Sequence, residues 1–186
     1  MSQKFTRVFA IVISGILTFV LLIGGTLLYQ KYVYADPLEA SVTKLPAVSS
    51  FKMEQLNSRS KVSVEFNVQE KLKGNFYLLL DQLEQQSARS LDNLTVEIVN
   101  QPDTALEAFL QEARLPIYEA ISTGHFTAIP DQLSKIGQPM QISYDLELDN
   151  YFVFLTANHQ DRAAHLIISR GNSPLIIVNT MGGEYL

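Results

Sequence analysis

The stretch KVSVEFNVQEKLKGNFYLLLDQLEQQSARSLDNLTVEIV, residues 61–99, decides the fold class. Over 61–68, Val62, Val64, Phe66 and Val68 alternate with Ser63, Glu65 and Asn67. That period of two is the pattern of a strand with one buried and one wet face. Gly74-Asn75 predicts a helix start, and Phe76, Leu79, Leu80 and Leu83 supply the apolar stripe of a helix over 76–90. Leu94, Val96 and Ile98 mark a second strand over 94–99. Strand, helix and strand of these lengths build a βαβ unit, direct or split.

Toward the C-terminus, Gln101-Pro102-Asp103 opens the next helix. Leu106, Phe109, Leu110, Ala113, Ile117 and Ile121 form its inner stripe, and Gly124 ends it. Pro116 falls inside that stripe and is expected to kink or divide the helix. A short helix follows from Pro130 to Ile136, closed by Gly137. The remainder alternates as strands over 140–148, 151–157, 163–169 and 175–180, with Asp149-Asn150 as a two-residue turn. Four successive strands suggest an antiparallel meander. The fold class expected is therefore α+β, in the order β-α-β-α-α-β-β-β-β, with the helices covering one face of a mixed or antiparallel sheet.

Toward the N-terminus, residues 51–60 suggest a short helix with Phe51, Met53 and Leu56 partly buried. Residues 30–50 read as a stalk, with a helix start at Asp36-Pro37. Ahead of them lies VFAIVISGILTFVLLIGGTLLY, residues 8–29, which carries no charge. As a helix it is about 33 Å long, enough to cross a hydrocarbon core of about 30 Å. Lys4 and Arg7 precede it and no acid does, so the positive-inside rule puts the N-terminus in the cytoplasm and the domain outside. The expected division is a cytoplasmic tail at 1–7, a single transmembrane helix at 8–29, the stalk, an extracytoplasmic domain at 51–180, and a C-terminal tail at 181–186. Val33-Tyr34-Ala35 also fits signal peptidase cleavage after Ala35, but the apolar run exceeds a signal h-region of about 7–15 residues, which favours a retained anchor.

From residue 32 onward, 11 Lys and Arg stand against 19 Asp and Glu. A polyanion such as nucleic acid is a poor partner for that surface, and so is anionic lipid. The absence of cysteine excludes thiol catalysis and cysteine-ligated metal, and suits a bacterial envelope better than a disulfide-building secretory route. Charge is uneven: 44–73 carries six basic residues against three acidic, and 81–149 carries twelve acidic against three basic. A head-to-tail contact between copies could pair these regions.

Candidate chemistry is sparse. His159, Asp161 and His165 have the side chains of a divalent-metal site, without the helical spacing that places two imidazoles on one face. Asp145, Glu147 and Asp149 repeat at every second residue, so a strand would put three carboxylates on one face, fit to meet a cation or a basic partner surface. The run lacks the glycine and the final glutamate of an EF-hand loop. No G-x-S-x-G elbow and no phosphate-binding loop is present, and no cofactor is implied. The expectation is a single-pass membrane protein with a non-enzymatic interaction or assembly module in a bacterial cell envelope, bound to a protein partner or to its own copies. The alternative is a membrane-tethered metal-dependent binder or hydrolase using His159, Asp161 and His165.

Overall fold

A computed structural model describes residues 13–25, 36–56, 59–67, 71–86, 94–171, 173, 175–181 and 184–185. The fold is α+β, with a mixed sheet and a C-terminal antiparallel meander. In chain order the elements are α1 (13–25), α2 (Asp36–Val42), β1 (Val48–Leu56), β2 (Arg59–Phe66), α3 (Leu72–Gln86), β3 (Leu94–Asn100), α4 (Thr104–Thr123), α5 (Ile129–Gly137), β4 (Ser143–Leu148), β5 (Phe152–His159), β6 (Arg162–Ser169), β7 (Ile176–Met181) and β8 (Glu184–Tyr185). Sheet A has the order β1-β2-β3-β7-β8, and sheet B the order β4-β5-β6.

The βαβ unit is direct. β2 and β3 are parallel neighbours, with Val62 beside Val96 and Val64 beside Ile98. α3 begins at Leu72, earlier than Gly74-Asn75 suggested, because Leu72 is buried and extends the stripe by one turn. Residues 87–90 of the expected helix lie outside the described residues. Of the helix expected at 51–60, residues 51–56 belong to β1 and 59–60 open β2, while 57 and 58 lie outside the described residues. Phe51 and Met53 face the core while Lys52 and Glu54 face outward, a period of two that pairs with Val64 and Val62. Packing also reaches beyond the 51–180 span: Val42, Ala47 and Val48 are buried, and Met181 is buried at the end of β7. The expected stalk and tail thus contribute side chains to the core.

The four-stranded meander is corrected to three strands. β4, β5 and β6 form it, and β7 leaves to pair in parallel with β3 in sheet A. Two asparagines occupy the β6 edge that β7 would have taken. Asn100 Oδ1 accepts the His165 N–H at 2.6 Å, and its Nδ2 donates to the His165 carbonyl at 2.9 Å. Asn179 repeats this with the N–H and carbonyl of Ile167, at 3.0 and 2.9 Å. Each side-chain amide does the work of one strand residue, so the edge of sheet B is satisfied by β3 and β7 of sheet A.

β5 and β6 of sheet B are buried on both faces, while edge strand β4 is partly exposed. Phe152, Phe154 and Ile167 join α3 and sheet A in one core cluster, where Phe76 meets Phe152 and Phe154 edge-on at 5.3 and 5.7 Å. Val153, Leu155, Leu166 and Ile168 join α4 and α5 in the other. α4 is one continuous helix. Asp103 caps its start by accepting the Leu106 N–H at 2.8 Å, and Gly124 closes it in the left-handed region at φ 76°. Pro116 is buried on its flank and does not divide it.

Candidate functional site

The three residues of the metal reading are not brought together. Strand parity puts His159 on the α4 side of sheet B, paired with Arg162, and His165 on the opposite side, paired with Thr156. His159 Nδ1 lies 2.7 Å from Asp103 Oδ2, so this histidine fastens the end of the β5–β6 hairpin to the cap of α4. The Leu106 N–H, and then His159, hold the Asp103 carboxyl below its ordinary range. Asp161 is exposed in the turn between β5 and β6. His165 is buried; its Nδ1 is 3.1 Å from Thr156 Oγ1, and its Nε2 has no partner among the described residues. Burial pushes its pKa down to about 4. Among the described residues no group of three or more His, Asp or Glu is placed to hold a metal ion.

The acidic strand divides as well. Asp145 and Glu147 share one face of β4, an edge strand, where carboxylates discourage pairing with another chain. Asp149 lies past the strand end and is engaged internally. Its Oδ1 accepts the N–H groups of Tyr151 and Phe152 at 2.8 and 2.9 Å, and its Oδ2 accepts the Tyr77 hydroxyl at 2.9 Å with Lys73 Nζ at 3.7 Å. Burial alone would raise the Asp149 pKa, but these donors and the Lys73 charge hold it low. Tyr77 is pushed up to about 12 by burial and by the Asp149 carboxylate. The basic stretch 44–73 is also partly consumed, through Lys52–Glu54, Lys61–Glu97 and Lys73–Asp149.

The surface that stands out is the outward face of α4. Its inner face is filled by Leu106, Phe109, Leu110, Ala113, Ile117 and Ala120. At 100° per residue, Gln111, Glu112, Leu115, Tyr118, Glu119 and Ser122 fall opposite. Leu115 is 75 % exposed, the most of any large apolar residue described, and Tyr118 is 55 % exposed. Glu112 and Glu119 flank them without an ion pair among the described residues. Beside Glu119 a shallow cleft of about 80 Å³ runs between α4 and the start of α5, lined in part by Pro116, Thr123, His125 and Gln132. The apolar stripe over 101–124 marks the buried side of the helix and leaves this face unmarked. The available signal was Leu115 and Tyr118, two apolar residues that do not fit the stripe.

The chain matches no family model, no curated protein and no solved structure.

Proposed function

We propose that the protein is a single-pass module of a bacterial cell envelope, anchored by residues 8–29, whose extracytoplasmic α+β domain binds protein and performs no chemistry of its own. One observation carries the reading. Residues 13–25 are helical and uncharged, and their large apolar side chains, from Ile13 to Ile23, stand 47–67 % exposed. A helix that is apolar all round needs an apolar surrounding, and lipid supplies it. Among the described residues no helix is long and apolar enough to cross a membrane. The spanning length is reached only with residues 8–12 and 26–29, which lie outside the described residues. The exposed apolar face of α4 supports the binding half of the reading, since such patches mark contact surfaces. The metal-dependent alternative needs His159 and His165 in one pocket, and they lie on opposite faces of sheet B.

The absence of cysteine makes the topology directly testable. Single variants Ser2→Cys and Ser143→Cys are treated in intact cells with a membrane-impermeant maleimide, and membranes are then extracted with carbonate. Labelling at 143 and not at 2, with the protein retained in the carbonate pellet, is the expected result. Release into the carbonate supernatant, or labelling at 2 alone, refutes the anchor or its orientation.

A further inference from the structure

We propose that the outward face of α4 is a docking surface for a basic amphipathic helix of another protein, with Leu115 and Tyr118 as the apolar centre and Glu112 and Glu119 as the acidic rim. The proposal rests on the interaction-module reading above and names the surface and the partner chemistry.

An apolar centre within a polar rim is the anatomy of a protein contact, and tyrosine is among its preferred anchors. Here Leu115 and Tyr118 are neighbours at i and i+3, forming one ridge along the helix. From Gln111 to Ser122 the face extends about 16 Å, the length of two to three turns of a partner helix packed against it. The cleft next to Glu119 offers a recess for one further side chain. The anionic groups of this face are Glu112 and Glu119; Gln111, Tyr118 and Ser122 both donate and accept, and half-buried Arg114 borders the face. The complementary partner therefore presents Lys or Arg opposite the two glutamates, around an apolar residue.

Other occupants fit less well. Anionic lipid would be repelled by Glu112 and Glu119. A second copy related by a two-fold axis through Leu115 would set these carboxylates against their own counterparts. Among the described residues, the exposed apolar side chain nearest to the basic stretch is poorly suited to the role. Leu78, exposed on α3, has Asp81 one turn along, and three of the cations between 44 and 73 are already paired.

The test uses the full-length protein in phosphatidylcholine nanodiscs. The probe is a fluorescent alanine-based helical peptide with two leucines at i and i+4 flanked by lysines. A matched peptide carries glutamates in place of the lysines, and empty nanodiscs give the lipid background. Fluorescence anisotropy is expected to show the lysine peptide binding at least about tenfold more tightly than the glutamate peptide. Leu115→Ser with Tyr118→Ser, and separately Glu112→Lys with Glu119→Lys, should each weaken binding about tenfold or more. Asp145→Lys with Glu147→Lys makes the same charge change on the β4 edge and should leave binding within about twofold. Equal losses at both surfaces would reduce the effect to general charge attraction and overturn the proposal. So would unchanged binding by the Leu115 and Tyr118 variant, or no binding by either peptide. Carbonate extraction of the same protein reads the anchor separately, so an anchored protein that ignores the peptide refutes only the docking surface.

Discussion

His159 and His165 lie on one hairpin, yet they do opposite work. His165 sits at the seam where sheet B meets sheet A, buried, with its backbone clasped by Asn100 and its ring edge-on to Phe66 at 6.2 Å. His159 sits at the rim, tying the hairpin end to Asp103 at the start of α4. The difference comes from strand parity and burial. At the seam a polar group has no water to fall back on, so each partner matters in full; at the rim, water replaces whatever is lost.

That contrast can be broken at four points, in falling order of effect. Asn100→Ala should cost about 4 kcal/mol in chemical denaturation, because it strips partners from both backbone groups of buried His165. A loss no larger than that of a rim substitution would mean the seam is held by apolar packing alone.

Acid should act at the seam next. The pKa of His165 falls from the ordinary 6.5 to about 4 in the fold, so the unfolded chain binds the proton more readily. The stability contributed is complete above about pH 6.5, is lost as pH falls through that window, and levels off below about 4. The loss is worth about 3 kcal/mol. His165→Leu should remove this segment of the stability–pH curve; a variant curve parallel to the wild type would assign the acid response elsewhere.

At the rim, Asp103→Ala removes the cap of α4 and the His159 contact together. Its melting temperature should fall by about 2–4 °C. His159→Ala added to Asp103→Ala should change little further, and a second fall of equal size would show that His159 holds the hairpin by another contact. Smallest of all, Leu115→Ser should leave stability within about 0.5 kcal/mol, since that side chain faces solvent. A larger loss would place Leu115 in packing rather than at a contact surface.

Periodicity read the local elements well and the partnerships poorly. β2, β3 and the inner stripe of α4 were legible because burial imposes a period that the side chains must obey. β1 was missed because Phe51, Met53 and Leu56 admit a helical reading over so short a run. Only the pairing of Phe51 with Val64 and Met53 with Val62 resolves it. Of the candidate residues, Asp145 and Glu147 lie on one strand face as their spacing implied. Asp149 does not, because the strand ends one residue before it and the turn takes its carboxylate.

By itself the sequence determined the α+β class, the strand–helix–strand unit, the caps of α4 and the uncharged apolar run near the N-terminus. Each of these follows from spacing and chemistry within a few residues. Only the tertiary structure decided that β7 leaves the meander, that Asn100 and Asn179 close the β6 edge, that the two histidines part company, and that Leu115 and Tyr118 remain uncovered. Those outcomes depend on which distant segments share a face, and hydrogen-bond partners and burial across the fold are set by three-dimensional packing rather than by local pattern.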